Sequence, residues 1–150
     1  KITLFFSSKF SVFIYVILAL IIGGLASSNT ADDVWYQALI KSPLNPPGYV
    51  FGIVWPILYL LMSISAFRTF DETKDLFLIQ LLFNTLWSWL FFAFQMPFIA
   101  LLNIWLLIYL NIKINLKMFY QDKLSGLLFI PYVLWLFFAS YLNLFIVLNN

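Results

Sequence analysis

The chain has 150 residues, of which 64% are hydrophobic, 21% aromatic and 9% charged, with a net charge of +2. A soluble surface draws on about 25% charged residues, so this composition excludes a soluble globular domain and implies one compact integral membrane domain. The small net charge does not suggest nucleic acid as a partner.

Neither Cys nor His occurs. Disulfides, thiolate metal sites and the commonest metal ligand are therefore absent, as is the usual acid–base side chain near neutral pH. No metal site is expected.

Charges divide the chain. Phe10 to Ala31 carries none, and neither do Ser42 to Phe67, Leu76 to Ile112 or Leu124 to Asn150. A helical span needs about 20 apolar residues. Leu76 to Ile112, with 37 residues, is too long for one span, because it would reach about 55 Å against a hydrocarbon core of about 30 Å. It folds back at Gln95-Met96-Pro97, where Pro97 suits the first turn of a new helix. The reading is an all-α membrane protein, a bundle of five transmembrane helices at roughly 10–28, 49–68, 76–94, 98–118 and 124–147. The first run has no small-residue cleavage site and reads as a retained span rather than a signal peptide.

In the first span Ala19, Gly23 and Ser27 make a small-residue ridge that lets another helix approach closely. Packing within the bundle is favoured over a dimer seam. The long connection that follows opens with Thr30 as a helix cap and Asp33 in the first turn. Val34, Trp35, Ala38 and Leu39 then share one face of a short helix. Pro43-Leu44-Asn45-Pro46-Pro47 cannot be helical, because each proline pushes the residue before it toward extended conformations. This stiff strap is either an ordinary interfacial loop or a lid over a pocket among the helix ends.

Lys1, Lys9, Arg68, Lys74, Lys113, Lys117 and Lys123 fall on one side of the membrane, and Lys41 alone on the other. The positive-inside rule places the N-terminus in the cytoplasm and the long first loop outside. With no β-strand pattern, a bacterial inner membrane fits better than an outer one.

No Asp, Glu, Lys or Arg lies near the middle of a span. That disfavours proton pumps, ion-coupled carriers and intramembrane proteases. The polar residues present are uncharged and share helix faces. Gln80, Asn84, Trp87 and Ser88 lie on one face of the third span, and Tyr132, Trp135, Ala139 and Asn143 on one face of the fifth. Trp55, Tyr59 and Met62 form a stripe on the second. Amides that cross-link helices and rings that sit in interfacial belts account for part of this pattern. An apolar, aromatic pocket with a few orienting polar groups accounts for the shared faces better.

These residues resemble the TspO/translocator protein family, the tryptophan-rich sensory proteins or peripheral benzodiazepine receptors. The match runs through Trp35-Tyr36, Leu39, Lys41, Pro43, Pro46-Pro47, Phe51, Val54-Trp55, Leu58-Tyr59 and Met62. It continues through Gln80-Leu81, Asn84, Trp87-Ser88, Phe91-Phe92, Pro131-Tyr132, Trp135, Phe138-Ala139 and Leu142-Asn143. The resemblance implies a five-helix bundle whose first loop acts as a lid over a ligand pocket. It also implies a homodimer, and a receptor or sensor for tetrapyrroles such as protoporphyrin IX and haem, which also takes benzodiazepine- and isoquinoline-type ligands. No cofactor is obligatory.

The implied ligand-binding set is Trp35, Tyr36, Pro47, Phe51, Trp55, Tyr59, Gln80, Asn84, Trp87, Tyr132, Trp135, Ala139 and Asn143. Their rings would stack on a flat macrocycle, and the amides of Gln80, Asn84 and Asn143 would orient carbonyls or ring nitrogens. Trp55 and Trp135 match tryptophans that act in light-dependent porphyrin breakdown, an alternative activity, and would face each other across the ligand. Transport of porphyrin or lipid is a further alternative. Lys41, the only cation near the loop, reads more as an anchor than as a carboxylate partner. Leu144 and Leu148 stand where sterol-binding members carry a Tyr and a basic residue, which argues against a dedicated cholesterol site.

Overall fold

The computed structural model describes residues 8–150, and among these there is no strand. Lys1, counted above for orientation, lies outside the described residues. The helices are α1 (Ser11–Ser27), α2 (Val34–Ala38), α3 (Gly48–Arg68), α4 (Phe70–Ser88), α5 (Pro97–Gln121) and α6 (Lys123–Asn149), and a π-helical turn, Trp89–Ala93, extends α4.

Four stretches, Gly48–Arg68, Phe70–Ala93, Pro97–Gln121 and Lys123–Asn149, are long and apolar enough to cross a membrane. The apolar α1 has 17 residues, or about 26 Å of helix against a core of about 30 Å. The long helices close into a ring in which α1 packs on α3, α3 on α6, α6 on α5, α5 on α4, and α4 back on α1. Val12, Val16, Met62, Phe77, Ile104, Leu107, Phe129 and Leu136 fill its middle, each nearly inaccessible.

The charged segment after Phe67 does not form the expected loop. Only Thr69 separates α3 from α4. Thr69 and Phe70 are buried, and the Thr69 hydroxyl donates to the Ser65 carbonyl at 2.9 Å. Thr73 repeats the device on the Thr69 carbonyl at 2.9 Å. Asp71 and Glu72 then fall in the first turn of α4, where the helix dipole favours negative charge. The charges mark a helix start rather than a gap.

The corner at Gln95-Met96-Pro97 forms as expected, with Pro97 opening α5. Gln95 takes a left-handed φ of 56°, which lets Met96 N–H reach back to the Leu90 carbonyl at 2.9 Å. The ridge on α1 packs inward: Ala19 and Gly23 are buried, and a Cβ on Gly23 would sit 3.9 Å from that of Ser88. The short α2 is capped by Asp33, which accepts from Trp35 N–H at 3.1 Å, rather than by Thr30. Trp35, Tyr36 and Leu39 pack on the bundle, while Val34 and Ala38 face outward. The expected face of α2 is therefore corrected by roughly one residue.

At the end of the bundle away from α2, Arg68 Nε donates to Asp122 at 2.7 Å. Ser125 donates to the same carboxylate oxygen at 2.6 Å, and Ser65 donates to the Ser125 carbonyl at 2.9 Å. The hydrogen bond from Arg68, then that from Ser125, holds the Asp122 carboxyl at about 2, below its ordinary 3.8.

A depressed carboxyl contributes stability above its unfolded value and loses it as pH falls through its folded one. Comparison of detergent-solubilised protein with Asp122→Asn should show a constant difference in thermal midpoint above about pH 4 that closes toward pH 2. Close packing also makes a sharper prediction. A Cβ at Gly126 would lie 2.4 Å from the Phe119 ring, so Gly126→Ala should destabilise by about 1–3 kcal/mol. Gly23→Ala, with only an ordinary contact, should leave the thermal midpoint nearly unchanged.

Candidate functional site

A cavity of about 880 Å³ lies beside α2, lined by α1, α3, α4 with its π-turn, α6 and the connection through Pro47. α5 takes no part in the lining. One wall is aromatic. Trp55 and Trp135 meet edge to face at 6.1 Å, and Phe51 packs on Trp135 at 5.9 Å. The facing wall comes from the π-turn, whose wider pitch brings Phe91 and Phe92 beside Trp87: Trp87 stacks on Phe91 at 5.6 Å and meets Phe92 edge-on at 6.0 Å. The connection closes down on this second wall, with Trp35 against Phe91 at 6.0 Å and Tyr36 against Phe92 at 5.5 Å.

The connection is tied to α6. Asn150 accepts from Ile40 N–H at 2.9 Å and donates to the Ile40 carbonyl at 3.0 Å. Ser42 and Tyr141 hydroxyls meet at 2.7 Å. Lys41 lines the cavity with its ammonium 4.4 Å from the Tyr36 ring centre. Burial pushes that ammonium below its ordinary pKa. Burial also raises the Tyr36 phenol, against a hydrogen bond with Asn45 that lowers it.

The floor is polar but uncharged. Tyr59 O–H donates to Asn84 Oδ1, and Asn84 Nδ2 donates to the Tyr132 oxygen at 2.7 Å. Tyr132 O–H donates to Gln80 Oε1 at 2.6 Å, and Gln80 Nε2 ends on Met62 Sδ at 3.6 Å. Higher up, Trp87 Nε1 donates to Asn143 Oδ1 at 3.0 Å, and Asn143 Nδ2 donates to the Pro97 carbonyl at 2.9 Å. The amides are thus engaged with neighbouring helices. The Trp135 indole N–H, enclosed at the wall, has no partner.

Comparison with known proteins decides the family. A model of the TspO/MBR family matches residues 11–148. The chain belongs to the TspO/MBR family. The tryptophan-rich protein TspO of Archaeoglobus fulgidus is 36% identical over 146 residues, covering 90% of this chain and 94% of that one. The tryptophan-rich sensory protein of Cereibacter sphaeroides is 36% identical over 117 residues, covering 74% and 73%. The human translocator protein is 28% identical over 119 residues, covering 73% and 70%. Family membership and the four long apolar helices together make this an integral membrane protein.

Of the residues expected from sequence, Tyr36, Pro47, Phe51, Trp55, Tyr59, Asn84, Trp87, Trp135, Ala139 and Asn143 line the cavity. Trp35 lies behind Phe91, outside the lining. Gln80 and Tyr132 are fully buried beneath the floor. They share the helix faces of Asn84 and Trp135 but sit a turn deeper, where the helices have closed. Trp55 and Trp135 touch each other on one wall, rather than facing across open space. Sequence reasoning left Gly24, Gly52 and Pro56 out of the site, although all three line the cavity. The only signal was the clustering of helix-disfavoured residues within apolar helices.

The floor network makes a prediction for the TspO/MBR fold. Tyr132→Phe leaves Gln80 Oε1 and Asn84 Nδ2 unpaired in a dry interior, so it should cost about 1–2 kcal/mol of ligand-free stability. Thermal unfolding in detergent measures it. A midpoint equal to that of the unsubstituted protein would show that the network carries no stability.

Proposed function

We propose that this protein is a membrane receptor or sensor that binds a tetrapyrrole, protoporphyrin IX or haem, in the cavity, with the connection between α1 and α3 as its lid. The carrying observation is the pair of aromatic walls around about 880 Å³. That volume falls within the usual range for small-molecule sites. A flat, mostly apolar macrocycle gains from ring contacts on both faces, and benzodiazepine- or isoquinoline-type ligands would use the same walls. No obligatory cofactor and no dedicated sterol site form part of this reading. In it α1 is the fifth span, the N-terminus is cytoplasmic in a bacterial inner membrane, and the protein acts as a homodimer in tetrapyrrole-dependent regulation or stress response.

One observation favours a second activity on the same ligand. The Trp55–Trp135 contact at 6.1 Å places two oxidisable indoles in electronic contact at the wall, which suits light-dependent porphyrin breakdown in which the ligand supplies the photochemistry. Illumination of the protein with protoporphyrin IX should yield a new absorbing product. Loss equal to that in protein-free micelles would remove this second activity.

For binding itself, protoporphyrin IX should quench tryptophan fluorescence saturably, and the Trp55→Phe/Trp135→Phe double variant should weaken binding by about tenfold, the loss of roughly 1.4 kcal/mol of ring contact. Unchanged affinity in the double variant would place the ligand elsewhere.

A further inference from the structure

We propose that the cavity opens sideways into the bilayer through a slot between α1 and α3 edged by Gly24 and Gly52, and that a flat apolar ligand dissolved in the membrane enters there. The inference rests on the ligand-binding reading above and adds the route and the residues that set its width.

The helix geometry places both glycines on an edge. On α3, Phe51, Trp55 and Tyr59 line the cavity, while Ile53, Ile57 and Leu60 are exposed on the outer face. Gly48, Gly52 and Pro56, at four-residue spacing, form the ridge between these stripes. They line the cavity and are themselves exposed. On α1, Gly24 does the same, between Leu20 and Ser27 inside and Ile21 and Leu25 outside. A Cβ added at Gly24 or Gly52 would meet nothing within 4 Å. No side chain from the facing helix comes within 4 Å of either position.

The slot has a closed end. Toward the base, Phe10 and Phe13 of the α1 side pack on Phe67 of α3 at 5.1 and 5.4 Å. Val12, Val16 and Ala19 belong to one packed core with Met62 and Ala66. The two helices are sealed there, and the proposed slot lies on the α2 side of that seal. Pro56, lacking an N–H, also leaves the Gly52 carbonyl without its ordinary helix partner, so the rim carries a spare acceptor for a ligand N–H.

The alternative route, under the lid, is better secured. It requires release of the Asn150 hydrogen bonds to Ile40, the Ser42–Tyr141 contact and the ring contacts of Trp35 and Tyr36. The slot requires no hydrogen bond to break. The side chains on its outer edge, Ile21, Leu25, Ile53 and Ile57, are exposed and apolar, which matches the macrocycle of a solute held in hydrocarbon.

The test follows protoporphyrin IX binding by stopped-flow tryptophan quenching in phosphatidylcholine nanodiscs. Gly24→Phe/Gly52→Phe narrows the slot, and Tyr141→Phe/Asn150→Ala loosens the lid. The proposal expects the first variant to associate at least about tenfold more slowly, and the second to associate at the unsubstituted rate. An unchanged rate in the slot variant, or a rate raised about tenfold by loosening the lid, would overturn it. The chain has no cysteine, so Gly24→Cys labelled with a bulky maleimide after folding closes the slot without asking the chain to fold around a bulky group, and it should slow entry equally. Absence of quenching in the unsubstituted protein would overturn the ligand-binding reading along with the slot. Normal quenching with an unchanged rate after labelling would overturn the slot alone.

Discussion

The hydrogen-bonded chain from Tyr59 through Asn84, Tyr132 and Gln80 to Met62 is the constraint on which the rest of this bundle depends. It runs from α3 to α4 to α6, back to α4 and back to α3, with every donor used once in one direction. Between membrane helices the hydrophobic effect supplies little sideways attraction, and packing and polar contacts choose the register. Each link is individually modest, about 0.6–2 kcal/mol. Rotation or sliding of any one helix by a residue breaks several links together, so the chain specifies one arrangement more than it stabilises it. It also sets the depth at which the helices close, and therefore where the cavity ends.

That depth explains what could be read from the sequence. Periodicity gives the angle of a side chain around its helix, and on that basis Asn84 and Gln80, or Trp135 and Tyr132, look alike. Only the level at which neighbouring helices converge separates a cavity wall from a buried cross-link. The amides were legible as inward-facing, but not as already engaged. Asn143 illustrates the limit, since its partners Trp87 and the Pro97 carbonyl come from distant segments.

The four long apolar helices followed from charge-free stretches, and the corner at Pro97 from proline chemistry. The start of α4 did not follow, because Thr69 and Thr73 turn their hydroxyls back onto the carbonyls four residues earlier and so bury the junction at a charged helix end that reads as a loop. The cap of α2 shifted for a related reason: Asp33 binds the Trp35 N–H itself, leaving the Thr30 carbonyl to accept from Gln37 at 2.8 Å. The open sides of Gly24 and Gly52 were illegible in principle, since an absence of neighbours has no local signature.

The two ends of the bundle are held by different physics. At the base, hydroxyls and the Arg68–Asp122 pair tie α3 to α6, and the aromatic seal around Phe67 closes α1 against α3. At the other end the connection rests on ring faces and a few hydrogen bonds to α6. Ring contacts slide at little cost, whereas a satisfied buried polar chain does not. Rearrangement is therefore confined to the cavity side of the floor. The unpartnered indole N–H of Trp135 lies on that side, where an enclosed donor without an acceptor costs about 1–3 kcal/mol. A ligand that parts Phe51 and Trp55 and offers an acceptor recovers that cost, so the ligand-free wall holds in reserve part of the free energy of its own opening.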